Sequence, residues 1–549
     1  MRKSCVVIIG IFILLYILPL GIRPIIIPDE SRYAEIPREM IASGDWIVPR
    51  LNGLRYFEKP VMGYWLNALS IKLFGENAFA VRFPSAAATG LSAFMVFLLI
   101  RRFSGEIAAA TLAALIFLTS FIVFGIGTFN ILDSMMAVFV TASMTSFFFA
   151  HDTDSLKKKK KNVYLLLFGI FCGIAFLTKG FLAFAIPVVA IVPFMIWEGR
   201  FKELFTICWL PIIAAVLVVI PWAVMVHFKA PDFWNFFVWN EHIKRFVSFG
   251  AQHHESFWYY VYLFPAAALP WSFLFPSAIL GLKKTGIKAS ITRYAICWFF
   301  FPFLFFSVAK GKILTYILPC FPPFAMLMSI GLKKYFETGG RKLFSVAVWF
   351  LALLAMIIAV ALIVVQIVGV NGFKPYDQTW KWGLGFFGFM VFAFLLISAV
   401  RASSSKAKLI LVGCAPLLVL FGSSFIMPDL TLEHKAPGSL LLKNAHKIRT
   451  GTVLVSDEDP MGAVCWFYKR DDVYLLEGGG EVSYGLNYED AKYRSLNLEK
   501  FKDLINKTAG KEGVVLVAKS KKYTQWKQRL PKPVYEDSNG KGGYVFVQY

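Results

Sequence analysis

Thirteen stretches of this chain stay apolar for close to the roughly 20 residues that a membrane-spanning helix requires. They lie near 6–22, 84–100, 107–124, 135–150, 163–177, 181–197, 204–226, 257–279, 291–308, 313–332, 343–370, 382–400 and 409–427. Inside a bilayer an unclosed backbone satisfies its hydrogen bonds only as helix, so residues 1–427 are expected to form a polytopic α-helical bundle. The pairs 163–177/181–197 and 291–308/313–332 are so closely spaced that each reads as a tight hairpin or one broken span. The first stretch follows Arg2 and Lys3 but ends in Gly21-Ile22-Arg23-Pro24 instead of a small-x-small cleavage site, so it reads as an uncleaved anchor.

The loops give the bundle an orientation. With the N-terminus in the cytoplasm, the inside loops carry Arg101 and Arg102, Lys157 to Lys161, Arg200 and Lys202, Lys283 to Arg293, Lys333 to Lys342, and Arg401 to Lys408. The alternate short loops are poor in Lys and Arg, and 125–134 has neither. This asymmetry is the positive-inside pattern. It also accounts for the net charge of +23 without nucleic acid, which would want its basic residues on one solvated domain. Only 17% of the residues are charged, against roughly a quarter in soluble proteins. Ordinary charge density returns after Asp429, and an odd number of spans leaves that tail outside. The seven cysteines lie mostly in apolar runs without metal-like spacing and read as small core residues.

Residues 428–549 read as a small α/β domain. Its β-rich runs are Gly451–Ser456, Ala463–Tyr468, Val473–Leu476, Gly513–Ala518 and Tyr544–Val547, with a helix over Asn497–Asn506. Gly478-Gly479-Gly480 reads as a turn, because no Lys follows it as a phosphate loop would require.

The reactive side chains gather on the outside. The longest segment there, 23–83, opens with Pro28-Asp29-Glu30-Ser31-Arg32-Tyr33-Ala34-Glu35-Ile36. Adjacent carboxylates at a membrane boundary are either paired or used. Spacing leaves open that Asp29 merely caps a helix over 30–42, one that Pro37 would kink or split. Further on, Tyr56-Phe57-Glu58-Lys59-Pro60 sets an acid and a cation among aromatics, either a phosphate contact or a surface ion pair. Asp133 stands alone at the mouth of a span, and Lys179 is the single charge in a tight turn. Lys310, Lys312 and Tyr316 add two cations and a phenol. The second long outside loop, 227–256, holds His227, His242, His253 and His254, with Glu241 and Glu255 beside imidazoles. Without H-x₃-H spacing, an amphipathic surface helix is the better reading of it than a metal site. A one-sided cluster of both signs, rimmed by aromatics, is what a lipid-linked anionic substrate requires.

The runs Asp29-Glu30-x-Arg32-Tyr33-Ala34-Glu35-Ile36, Ala42-Ser43-Gly44-Asp45-Trp46-Ile47-Val48-Pro49 and Arg55-Tyr56-Phe57-Glu58-Lys59-Pro60 carry a resemblance. So do Leu177-Thr178-Lys179-Gly180, Trp239-Asn240-Glu241-His242-Ile243 and Ser307-Val308-Ala309-Lys310-Gly311-Lys312. The chain resembles the bacterial undecaprenyl-phosphate 4-amino-4-deoxy-L-arabinose arabinosyltransferases. These are membrane glycosyltransferases of the GT-C class, to which protein O-mannosyltransferases also belong. The resemblance implies transfer of aminoarabinose from an undecaprenyl phosphate donor to a lipid A phosphate, at the periplasmic face of the inner membrane. It implies resistance to polymyxin and cationic peptides, and a single displacement that inverts the anomeric centre.

By the same resemblance, Asp29 is the catalytic carboxylate and Asp133 a second one. Lys59, Arg245 and Lys312 bind the donor phosphate, flanked by Tyr56 and Tyr316. Glu30, Arg32, Tyr33, Lys179 and Lys310 complete the substrate site, and Glu58 with His242 is where a divalent ion, zinc, would sit. The alternatives are a related GT-C enzyme with another sugar or a protein acceptor, and a lipid or sugar transporter. A transporter would place charges at the midplane and show internal repeats, whereas these charges lie at one surface and no repeat of the first loop appears.

Overall fold

A computed structural model of the chain describes residues 2–153, 157–244, 254–285, 287–369, 372–508, 513–540 and 542–549. Among the described residues, nine helices are long and apolar enough to cross a membrane, or up to eleven if each of two bent pairs is one span. Two shorter apolar helices, Ser4–Ile17 and Leu182–Trp197, fall on two further expected stretches, and thirteen is reached only by including them. The close pairs resolve as separate helices: Lys158–Lys179 with Leu182–Trp197, and Ser290–Val308 with Leu314–Glu337.

Leu132–Asp152 is the most enclosed of the spanning helices, with 89% of its apolar window buried. Lys342–Val368 is peripheral. Its Val346, Trp349, Phe350, Leu353, Ile357 and Val360 form an exposed apolar stripe at helical spacing, which in water would be an aggregation surface and in a bilayer meets lipid. Where helices cross closely, small residues permit it. A Cβ on Gly281 would overlap the backbone of Gly331, and one on Gly331 the backbone of Ala278.

Two expected straight spans are broken. Ile107–Thr119 and Phe121–Gly127 meet at 64°, and Tyr259–Ala267 and Trp271–Lys284 at 102°. The breaks face each other and satisfy the groups they free. The Phe121 N–H donates to Leu269 O at 2.9 Å, and Trp271 Nε1 donates to Thr119 Oγ1 at 2.9 Å. Apolar composition alone carries no sign of these corners.

The basic ends of the helices are paired with acids. Arg200 contacts His151 and Glu203, Lys161 pairs with Glu203 at 2.5 Å, Arg293 with Glu198 at 2.8 Å, and Lys333 with Glu106. The opposite ends of two of the same helices are joined by Asp133 and Lys179, so the orienting charges and the candidate site occupy opposite faces.

The C-terminal residues form a six-stranded mixed sheet in the order Ser495–Leu496, Tyr474–Leu476, Val453–Ser456, Val514–Lys519, Tyr544–Gln548, Tyr535–Ser538. The first four are parallel and the last two antiparallel to their neighbours. One expected strand, Ala463–Tyr468, is instead part of the helix Met461–Tyr468. A short run buried on all sides has no period to distinguish strand from helix. Two short strands, Ser495–Leu496 and Tyr535–Ser538, went unread, while the expected helix is seen as Leu498–Thr508.

Met461–Tyr468 packs on the helix Asp29–Ser43 of the segment 23–83. Asn52, fully buried at φ 58°, locks the second contact between the two regions. Its Nδ2 donates to Val473 O at 2.8 Å, and its Oδ1 accepts from Val473 N at 2.9 Å and from Arg494 at 2.6 Å. The sheet is thereby docked on the segment that carries the candidate site.

Candidate functional site

Asp29 is the first residue of the helix Asp29–Ser43, and Pro28 holds the cap position without a side-chain bond. The carboxylate does not cap the helix. It pairs one turn on with Arg32, which the helical period brings alongside, and the helix runs unbroken through Pro37. Arg32 gives its other terminal nitrogen to Glu481, which lies in the loop after the sheet strand Tyr474–Leu476. The Asp29 and Glu481 side chains are 52% and 43% exposed, whereas Arg32 is buried between them and lies 4.6 Å over the Tyr33 ring. Tyr33 packs on Tyr64 at 6.2 Å. Arg32 Nε and the hydroxyls of Tyr56 and Tyr64 are buried without a hydrogen-bond partner among the described residues.

Glu30, expected in the substrate site, is placed elsewhere. The helix turns it inward, fully buried, onto two arginines. Arg82 grips it with two bonds of 2.8 Å, Arg23 reaches it at 3.1 Å, and the amides of Ile26 and Asn130 donate at 3.0 and 3.1 Å. Burial alone would raise the Glu30 pKa, but Arg82 and Arg23 outweigh it and hold it below the ordinary carboxylate range. With these acceptor positions taken, Glu30 is a structural keystone that fastens the segment 23–83 to the bundle. Adjacent carboxylates in the sequence thus serve opposite ends, and the helix decides which faces out.

A second group lies beside the first. Lys59 Nζ donates to Glu241 at 3.0 Å and to Glu58 O at 2.8 Å. Lys179 Nζ donates to Asp133 at 2.6 Å and sits 5.0 Å over the Tyr316 ring. Lys59, Lys179, Glu241, His242, Phe306 and Tyr316 line one cavity of about 100 Å³. Residues from four separate stretches, around 59, 179, 241 and 316, therefore converge, as the one-sided clustering implied. Glu58 is raised by burial, opposed by Lys59 and Arg32 and reinforced by Glu241 and Glu481. Its electrostatic environment thus spans both groups.

Lys312 is nearly buried and donates to the backbone O of Glu255 at 2.8 Å; burial lowers its pKa, with Glu255 opposing. It fastens the chain at Glu255, helped by Lys310 O, which accepts from the Glu255 amide at 3.2 Å. The cavity wall includes Ala309, Gly311 and Tyr316 but neither lysine. Arg245 and His253 lie outside the described residues. His242 Nδ1 bonds Phe237 O at 2.8 Å within a π-type helix, Asn235–Lys244. Zinc takes at least three protein ligands, and no group of three or more His, Cys, Asp or Glu able to hold a metal is found among the described residues. Glu58 and His242 make two.

Sequence reasoning missed Glu481 and the roles of Glu241, Arg23 and Arg82. In the sequence Glu241 reads only as an acid beside His242. Glu481 follows a glycine turn in a domain without recognisable motifs, and nothing local marks it.

Comparisons with known proteins give the family. The family described as dolichyl-phosphate-mannose-protein mannosyltransferase matches residues 4–237, and that described as arabinosyl transferase ArnT, C-terminal domain, matches 432–547. The undecaprenyl phosphate-alpha-4-amino-4-deoxy-L-arabinose arabinosyl transferase of Shewanella sediminis is 41% identical over 88% of both chains. The chain belongs to that family. The Aeromonas hydrophila relative is 40% identical over 88% of both chains. The crystal structure of ArnT from Cupriavidus metallidurans bound to undecaprenyl phosphate superposes with a TM-score of 0.82, covering 100% of this chain and 98% of the other at 21% identity, and so shares the GT-C fold. The arabinosyl transferase family accordingly unites the helical bundle and the docked sheet in one chain.

Proposed function

We propose that this protein transfers 4-amino-4-deoxy-L-arabinose from undecaprenyl phosphate to a phosphate of lipid A, at the periplasmic face of a bacterial inner membrane. The observation that carries the reading is the convergence of Lys59, Lys179 and Tyr316 on one cavity, beside an acid–arginine group at the start of the Asp29 helix. The basic helix ends face the cytoplasm and the sheet stands in the periplasm, as the positive-inside pattern supports.

In this reading the cavity receives the donor phosphate. Lys59 and Lys179 are held in place by Glu241 and Asp133, and an entering phosphate competes with these carboxylates for the ammonium groups. Charge-assisted bonds of this kind contribute about 1.5–3 kcal/mol each. A lipid A phosphate oxygen attacks the anomeric carbon as the bond to the donor phosphate oxygen breaks. Undecaprenyl phosphate leaves with the electron pair, held by the two lysines, and configuration inverts. The attacking phosphate is already anionic near neutral pH and needs little base catalysis. Asp29 instead orients the acceptor and stabilises the positive charge that develops on the sugar. A cationic sugar on an anionic phosphate weakens the binding of polymyxin and other cationic peptides.

Mass spectrometry of lipid A from cells with and without the gene tests the reading. The mass of one aminopentose should appear only when the gene is present; identical lipid A in both strains refutes it.

A further inference from the structure

Three helices enclose a groove on the side away from the candidate site. Lys158–Lys179 and Trp209–Lys229 cross so closely that a Cβ on Gly169 would overlap the Pro211 backbone. Beside that crossing they and Leu182–Trp197 leave a cavity of about 450 Å³, within the roughly 300–1,000 Å³ of small-ligand pockets. Leu165, Cys172, Pro187, Ile191, Ile207 and Pro211 line it, and none of its lining residues is charged. Val188, Ile212 and Val216 also line it and are half-exposed, so the groove opens sideways onto the surface that meets lipid.

One end of this groove is strongly basic. Leu165 lies one turn beyond Lys161, Leu204 follows Glu203, and Phe147 lies one turn before His151. Lys161 pairs with Glu203 at 2.5 Å, and Arg200 bonds both Glu203 and His151. This network occupies the acids: Glu203 is held by Lys161 and Arg200, and Glu198 by Arg293 and Ser290. Lys157, Lys158, Lys159, Lys160 and Lys202 are exposed and have no ion-pair partner among the described residues. Asp152, an exposed acid beside them, leaves the group net positive. Trp197 and Trp209, both exposed, set this level at the water–bilayer boundary. Orientation of the chain requires only that the lysines be on this face; it does not require an apolar groove ending at them.

We propose that the groove and these lysines form a binding site for an anionic glycerophospholipid, its phosphate on Lys158, Lys159 and Lys202 and one acyl chain between the three helices. Basic pockets between transmembrane helices take anionic headgroups in this way. The charge at the mouth selects against a zwitterionic lipid, and the uncharged walls select against a free phosphate. Lys179 is 21 residues along the same helix from Lys158, about 30 Å at 1.5 Å per residue, so a headgroup held here is not that of a donor whose phosphate meets Lys59 and Lys179. The bound lipid braces the helix whose far end carries Lys179.

Native mass spectrometry of the full-length protein in neutral detergent tests this with dioleoyl phosphatidylglycerol, dioleoyl phosphatidylcholine and glycerophosphoglycerol, the same anionic headgroup without chains. Phosphatidylglycerol should bind at least about tenfold (~1.4 kcal/mol) tighter than either of the others. The triple variant Lys158→Gln, Lys159→Gln, Lys202→Gln should lose the preference over phosphatidylcholine. Lys283→Gln, Lys342→Gln, Lys406→Gln, which changes three exposed lysines elsewhere in the basic loops, should keep it. Cys208→Trp, which fills the groove near its basic end, should weaken both phospholipids, and glycerophosphoglycerol reads the need for a chain independently of that variant. Equal loss in the two triple variants, or no preference in the unaltered protein, would reduce the lysines to general surface charge and overturn the proposal. So would glycerophosphoglycerol binding as tightly as the lipid. Displacement of phosphatidylglycerol by an equal concentration of undecaprenyl phosphate would overturn it too, making the groove a path for the polyprenyl chain.

Discussion

Glu30 and Asp29 are neighbours with opposite consequences, and Glu30→Gln exposes the difference. Glu30 is fully buried, and its carboxylate is the acidic partner of both Arg82 and Arg23. Amidation leaves two buried guanidinium groups facing a neutral side chain. Removing one partner of a buried ion pair costs about 3–5 kcal/mol, a large share of the ~5–15 kcal/mol that holds a typical domain folded. Asp29→Asn breaks only a half-exposed pair, worth about 0–1 kcal/mol. Thermal unfolding of the purified proteins in detergent should show a clear drop in midpoint for Glu30→Gln and almost none for Asp29→Asn. A double-mutant cycle with Arg82→Met should be non-additive, because the two changes remove the same interaction. A Glu30→Gln protein that melts with the wild type would refute the keystone role.

Lys59→Met and Lys179→Met should each lower transfer by about 10- to 150-fold, the equivalent of ~1.5–3 kcal/mol, with Lys59→Arg retaining more activity than Lys59→Met; a donor-transfer assay checks this. Asn52→Ala removes the buried hydrogen bonds that tie it to Val473 and Arg494 and should loosen the sheet by about 2–4 kcal/mol, seen as faster limited proteolysis of the C-terminal region. That docking should also weaken as pH rises. Burial raises Glu35 to about 7, opposed by Arg38, and burial with the adjacent Glu35 raises Glu39. The folded state therefore holds protons that the unfolded chain releases near its ordinary carboxylate pKa of about 4.5. The contribution is complete below that value and is lost as pH climbs through about 7, so hydrogen exchange in Met461–Tyr468 should be faster at alkaline pH after correction for intrinsic rates.

Much of the architecture was legible because bilayer physics leaves few options. Apolar length gave the spans, and Lys and Arg between them gave one charged face, which the Arg200, Lys161 and Arg293 contacts bring together. What failed depended on tertiary context. The corners near Ser120 and Ala268 are stabilised by each other across 152 residues of sequence at the Thr119–Trp271 bond, and no local pattern records that. Met461–Tyr468 is apolar on every face, so its period is hidden. In the site, Asp133 and Lys179 could be picked out as lone charges at apolar helix ends, Lys59 from its place beside Glu58 among aromatics, and Tyr316 from its place after Lys310 and Lys312. That Lys179 meets Asp133, or that Glu481 crosses from the sheet to Arg32, is a property of the folded chain alone.

The measurement closest to the central claim uses the purified Asp29→Asn protein, an undecaprenyl phosphate–aminoarabinose donor and lipid A, followed by mass spectrometry of the lipid product. With the unfolding midpoint unchanged, the account expects aminopentose-modified lipid A to fall by at least about 100-fold, ~2.7 kcal/mol of lost transition-state stabilisation. Wild-type yield from that variant would contradict it.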